Sequence, residues 1–299
     1  MLNRASRPER LFLGPTFSAL LSAIGVAAMA FWGGGAEKWL VMLISVIIGV
    51  IATVQIRARN LFKGPNYPML ATFMLLQGAA SQSISGCLLA GYALITTISL
   101  FFCFMQPKLT RTFFLIFLLT GTAAVFNPQW LMWGGVTIAL LITVRAFSMR
   151  GLVASLLGII TPYIIIPFGA VALTRSLEPL EHLLGRYQQP QFEFPAQITT
   201  AYLFSAALCA LFALASFLTA YGYPAKARSR NMSIYVLSGS AIVCPLFCIG
   251  GSAFWLPLLN LCAAYHCAHF IATRRSGWLI AIVGWMFILA FIGKQLCIF

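Results

Sequence analysis

Apolar runs long enough to cross a bilayer follow one another along this 299-residue chain, with only short polar connectors between them. A helix needs about 20 such residues to span the hydrocarbon core. Hydrophobic residues make up 61% of the chain and charged ones 8%, against roughly 25% charged in a soluble domain. A chain this apolar has no polar surface to show to water, so its solvent is lipid. The fold class that follows is all-α, a polytopic transmembrane helix bundle forming one integral membrane domain over residues 1–299.

Reading the runs in order predicts eleven spans, at about 16–32, 39–56, 67–80, 86–105, 112–126, 130–147, 151–173, 196–221, 233–249, 253–272 and 277–298. A basic start followed by an apolar run can be a cleavable signal, but a second span follows at once, and the first run is expected to stay as a helix. The third span is short, and the interruption from Gly78 to Gly86 leaves two readings for 67–105: two full spans, or one span plus a re-entrant piece. Pro162, Pro167, Pro245 and Pro257 fall inside apolar runs, where each removes an N–H. Such prolines imply a bundle whose neighbouring helices satisfy the freed carbonyls. Trp130 and Trp133 are expected as interface anchors.

Charge sets the threading. With the N-terminus in the cytoplasm, fifteen of the nineteen basic residues and one glutamate fall on the inner side, and four basic residues and four glutamates on the outer side. Positive residues hold the cytoplasmic ends of membrane helices, so the expected orientation is N-terminus inside and C-terminus outside. In a soluble protein the net charge of +14 would suggest nucleic acid. Here it serves topology, and no nucleic-acid partner is expected.

The long polar run at 174–195 is then extracytoplasmic. It holds three of the five acidic residues, Glu178, Glu181 and Glu193. Leu177, Leu180, Leu183 and Leu184 recur at helical spacing, which reads as a short amphipathic helix on the outer leaflet, with 188–195 extended after it. Arg175, His182 and Arg186 are candidate substrate-binding residues, because guanidinium forks suit a lipid pyrophosphate. The plainer reading pairs them with Glu178 and Glu181 on the membrane surface.

Cys262, His266 and His269 share one helix face by their offsets of four and three, and thiolate with imidazole suits zinc or copper. No Asp or Glu stands nearby to orient the rings, and no cofactor is expected. The eight cysteines lie mostly within spans and read as small packing residues. No glutamate falls at mid-span, which argues against a proton- or sodium-driven carrier. Gln55, Gln77, Gln82, Asn260 and Gln295 are polar groups that either glue helices together or line a cavity.

The run from Arg150 to Tyr163 (RGLVASLLGIITPY) after a basic loop, the length near 300 and the Trp255-Leu-Pro257 stretch followed by a basic pair resemble a family of small multi-pass inner-membrane proteins of unknown function from Bacteroidota. The resemblance implies a multi-pass protein of a bacterial cytoplasmic membrane and transfers no catalytic residue. No motif decides whether the chain is an enzyme. The leading expectation is a cell-envelope role handling a lipid-linked or amphiphilic substrate. The alternatives are a non-catalytic membrane subunit that binds a protein partner, and a small-solute transporter with a cavity lined by Gln77, Gln82 or Asn260.

Overall fold

A computed structural model of the chain describes residues 14–31, 37–59, 61, 67–80, 82–102, 110–178, 180–181, 184–185, 198–247, 251–273 and 277–297. Among the described residues there are eleven α-helices and no strand. They are α1 Pro15–Phe31, α2 Glu37–Arg59, α3 Tyr67–Gly78, α4 Ile84–Phe102, α5 Thr110–Phe126, α6 Trp130–Thr143, α7 Met149–Thr174, α8 Thr200–Tyr221, α9 Ala225–Val243, α10 Gly251–Thr273 and α11 Gly277–Cys297. Five of them, α2, α4, α7, α8 and α10, contain stretches long and apolar enough to cross a membrane. The chain is therefore an all-helical protein whose apolar helices contact a lipid bilayer. Each predicted run has its helix. The clearest shift is at α9, which begins at Ala225 rather than near 233 and includes Lys226, Arg228 and Arg230. A helix can extend past the apolar run because its backbone stays satisfied while long basic side chains reach water.

The chain groups into two compact units: Met1–Ile95, Ile198–Ile242 and Ser252–Phe299 form the first, Thr96–Gln197 and Val243–Gly251 the second. In the first unit, α1 and α3 pack with their backbones in direct contact. A Cβ added to Gly25 would lie 2.3 Å from the Met74 carbonyl oxygen, and one on Gly78 would lie 2.7 Å from the Gly25 carbonyl oxygen. Lipid is as apolar as a leucine side chain, so helix association inside it depends on such close packing rather than on the hydrophobic effect. At the centre of this unit is α10, buried at every position from Phe254 to Ile271. A helix buried on all sides has no lipid-facing stripe.

The prolines behave as the sequence implies. Pro257 has no N–H for the carbonyl of Ala253, four residues earlier, and the Ser83 hydroxyl donates to that oxygen at 3.3 Å. Pro245 likewise leaves the Ala241 carbonyl without its helical donor. The Tyr202 hydroxyl points at it, 2.9 Å from the Ala241 oxygen and 2.6 Å from that of Ile242.

The second unit is built on the pairing of α5 with α7. A Cβ on Gly121 would sit 2.6 Å from the Ile159 carbonyl oxygen, and one on Gly158 would sit 2.7 Å from that of Phe114. α7 continues through both Pro162 and Pro167, and only 17% of its membrane-length stretch is buried. Trp130 and Trp133, expected as interface anchors, are instead buried; they lie on α6, whose neighbour is α5. Among the described residues an exposed tryptophan does sit near a helix end, Trp39 of the first unit, with the Lys38 ammonium 5.6 Å from its ring.

α7 ends at Arg175, which adopts the left-handed conformation (φ 52°) and donates its N–H to the Val171 carbonyl at 2.8 Å. A helical turn then starts at Leu177, whose carbonyl accepts from the N–H groups of Leu180 and Glu181. Glu178, Leu180, Glu181, Leu184 and Gly185 are helical, with Leu177 61% and Leu184 55% exposed. His182, Leu183, Arg186 and the segment 188–195 lie outside the described residues.

Candidate functional site

Polar residues recur along α10 although the helix is buried from Phe254 to Ile271. Asn260, Cys262, Tyr265, His266, Cys267 and His269 are all completely or almost completely shielded. A polar group away from water must find a partner or lose about 1–3 kcal/mol, and each of these has one outside α10. The His266 Nε2 lies 2.8 Å from the Ser238 hydroxyl of α9. The His269 Nε2 lies 3.0 Å from the Tyr223 hydroxyl, in the turn between α8 and α9. Tyr265 donates to Asn231 Oδ1, and Asn231 in turn donates from Nδ2 to the Leu61 carbonyl at 3.1 Å. Thr72 of α3 joins the Cys267 sulfur at 3.7 Å and accepts from the Trp285 indole N–H of α11 at 2.9 Å.

Deeper along α10, Asn260 Nδ2 donates to Gln77 Oε1 of α3 at 3.2 Å, and Gln77 Nε2 donates to Ser45 of α2 at 3.5 Å. Ser45 is 3.7 Å from the Cys87 sulfur of α4. This chain of side chains ties four helices together at one level. Immediately beyond Gln77 the helix stops. Gly78 ends α3, Ala79 and Ala80 turn, and α4 starts at Ile84. Both ends of the break are capped: Gln82 Nε2 donates to the carbonyls of Gln77 at 3.3 Å and Ala80 at 3.2 Å, while Ser83 Oγ accepts the Gly86 N–H at 3.1 Å.

The contacts also set the position of the turn along α10. α3 runs antiparallel to α10, with Thr72 beside Cys267, Gln77 beside Asn260 and Ser83 beside Ala253. At 1.5 Å per residue, the stretch from Asn260 back to Ala253 covers about 10 Å. The turn between α3 and α4 thus lies alongside the first turn of α10, where Ala253 is exposed.

One end of this unit gathers basic residues. Arg230 donates from Nη1 to the Arg59 carbonyl at 3.1 Å, next to the Asn231–Leu61 bond. Burial, and after it the charge of Arg59, lowers the Arg230 pKa, and burial raises that of Tyr223. The opposite end carries Ser83 and the start of α10.

Of the candidates read from sequence, Cys262, His266 and His269 do share the buried α10. Ser238 lies within hydrogen-bonding reach of Cys262 as well as of His266, while His269 turns to Tyr223. Among the described residues no three His, Cys, Asp or Glu side chains are grouped closely enough to hold a metal ion. Arg175 is exposed at the end of α7, and its partners in the proposed loop site, His182 and Arg186, lie outside the described residues. Gln77, Gln82 and Asn260, noted in the sequence as glue or cavity lining, come together at the break. Cys87, Cys209, Cys262 and Cys267 are buried free thiols. Asn231, Ser238 and Tyr265 were not legible as partners: a serine or tyrosine in an apolar run has no spacing rule that points to another helix. No protein-family model, curated protein or solved structure matches the chain.

Proposed function

We propose that this chain is an eleven-span protein of a bacterial cytoplasmic membrane, N-terminus inside and C-terminus outside, that handles a lipid-linked or amphiphilic substrate in the cell envelope. The observation that carries the reading is the uncharged hydrogen-bonding face of α10, buried within an apolar bundle beside the turn that joins α3 to α4. The described partners of this face include hydroxyls, amides and imidazoles and no carboxylate. Such a face suits a neutral head group bearing hydroxyl or amide groups better than a metal cation or a proton relay. Arg175, His182 and Arg186 are proposed separately, as a set of residues that suits a lipid pyrophosphate at the outer leaflet. Native mass spectrometry of the protein extracted in its own lipids tests it. A bound polyprenyl phosphate or glycolipid is expected, and bulk phospholipid alone would refute it.

The threading is supported by charge and by geometry together. Arg59 and Arg230 meet at one end of the first unit, the end to which the basic-rich connectors lead. In a cysteine-depleted background, Gly34→Cys should react with an impermeant maleimide added outside intact cells, and Ser276→Cys only after permeabilisation. The reverse pattern would invert the topology.

The subunit reading has one observation in its favour. α7 leaves most of its length unburied, with Leu156, Ile160, Ile164 and Phe168 all at least half exposed. A stoichiometric protein partner in a mild-detergent pull-down, lost on Ile164→Arg, would favour it.

A further inference from the structure

We infer that a groove between α5, α6 and α7 seats an acyl chain of an anionic phospholipid, whose phosphate meets Arg111, Arg145 and Arg150. The site belongs wholly to the second unit and does not rest on the substrate reading above. The groove encloses about 360 Å³ and is partly open to the surroundings. Phe113 and Phe117 of α5, Leu141 of α6 and Leu152, Leu156 and Ile159 of α7 line it. Two serines reach the lining, and both hydroxyls are turned to the α7 backbone. Ser155 Oγ donates to the Gly151 carbonyl at 2.8 Å, and Ser148 Oγ accepts the Gly151 N–H at 3.1 Å. Such a lining takes an alkyl chain and not a polar head group, which would lose its hydrogen bonds there. From Gly151 to Ile159 the groove follows α7 for about 12 Å, against roughly 15 Å of hydrocarbon in one leaflet.

Charge at one end of the groove selects the occupant. α5 and α7 run parallel, since Phe113 meets Gly151 and Gly121 meets Ile159. Both helices therefore begin at the end of the groove where α6 finishes. One contact gathers the three arginines there. A Cβ on Gly151 would lie 2.5 Å from the Phe113 ring and 3.0 Å from Ser148 Oγ. Arg150 directly precedes Gly151, Arg111 stands two residues before Phe113, and Arg145 three before Ser148. All three are exposed. No Asp or Glu occurs in the sequence between Glu37 and Glu178, and the described carboxylates of this unit, Glu178 and Glu181, follow the far end of α7. Guanidinium forks pair with phosphate oxygens, and the first turns of α5 and α7 add the positive ends of two helix dipoles. An alkyl seat beside cations without a carboxylate matches an anionic phospholipid. A zwitterionic lipid brings its own ammonium to the same place, and a wholly apolar occupant leaves the arginines without an anion.

The test uses the full-length protein, delipidated in mild detergent and titrated with phosphatidylglycerol or with phosphatidylcholine of the same chains. Native mass spectrometry counts the bound lipid. Phosphatidylglycerol should be held about fivefold tighter or more, since one basic residue near an anionic lipid is worth about that factor. Arg111→Gln, Arg145→Asn and Arg150→Gln together should abolish the preference. Asparagine is used at 145 because it tolerates the left-handed backbone found there (φ 56°). Arg111→Lys, Arg145→Lys and Arg150→Lys together keep the charge and should keep the preference, which separates loss of charge from loss of fold. Leu156→Trp, at a lining residue 51% exposed, should obstruct the chain seat and weaken both lipids roughly tenfold, the burial of about two methylenes. Equal affinity for the two lipids, or a preference that survives the neutral triple variant, overturns the proposal. A lysine triple variant that behaves like the neutral one overturns the assignment of the phosphate to these charges. Full affinity for both lipids in Leu156→Trp overturns the groove, because charge on an open surface would then suffice. A protein partner lost on Leu156→Trp, in the absence of any lipid preference, gives the groove to a protein and overturns the proposal as well.

Discussion

Gly25→Ala is the sharpest single test of how the first unit is held together. The added Cβ would lie 2.3 Å from the Met74 carbonyl oxygen, 2.4 Å from its carbon and 2.8 Å from the Leu75 nitrogen. All three atoms are backbone, so no rotamer change relieves the clash. α1 would have to retreat from α3 by about 1 Å, and the reciprocal approach of Gly78 to the Gly25 carbonyl would be lost with it. Overpacking a well-packed site typically destabilises by about 1–3 kcal/mol. A backbone–backbone clash belongs at the upper end, so about 3 kcal/mol is expected, or two orders of magnitude in the folding equilibrium. Gly239→Ala makes the same chemical change on α9, where nothing lies within 4 Å of the new atom. There it should stabilise by up to about 1 kcal/mol through helix propensity alone. The readout is thermal unfolding in mild detergent followed with a fluorogenic maleimide, which reports on Cys87, Cys209, Cys262 and Cys267 because these thiols are buried in the folded protein. Gly25→Ala should lower the midpoint by roughly 5 °C or more, and Gly239→Ala should leave it unchanged or raise it. Two variants of equal stability would refute the claim that backbone contact at Gly25 holds α1 on α3.

Three further outcomes are expected. Tyr202→Phe removes the hydroxyl that reaches the Ala241 and Ile242 carbonyls, and should destabilise by about 1–2 kcal/mol in the same assay; no loss would mean that the carbonyl freed by Pro245 has another donor. Arg175→Gly relieves the left-handed backbone (φ 52°) and should stabilise by roughly 0.5–1 kcal/mol, whereas Arg175→Ala should not. If Arg175 meets a phosphate, both variants lose function in a complementation assay while only one gains stability. Zinc added to the purified protein should leave the unfolding midpoint unchanged, since His266 and His269 point to separate hydroxyls; a midpoint that rises with zinc and falls back on Cys262→Ala would restore the metal reading of Cys262, His266 and His269.

The outline of the fold was legible because lipid imposes a one-dimensional rule. Backbone groups in hydrocarbon must be paired within the segment, so every long apolar run becomes a helix, and its ends follow where glycine, proline or basic residues interrupt it. The eleven runs and the prolines that need a neighbour's donor are read from residue order alone. The break after Gly78 was also visible, as a polar and glycine-containing gap in an apolar stretch. What residue order does not carry is which helix meets which. In a soluble protein the apolar stripe marks the inward face; here lipid-facing and buried faces are both largely apolar, so although α10 is the least hydropathic of the five membrane-length helices, hydropathy does not tell which helices enclose it. The same reason hid the pairing of Asn260 with Gln77, of His266 with Ser238 and of Tyr265 with Asn231. Each joins residues from 28 to 183 positions apart, and only packing sets those distances. The sequence by itself determined that polar groups are present within the apolar bundle. The tertiary structure decided that they converge on one buried helix, because a polar group in that interior is stable only where another helix brings it a partner.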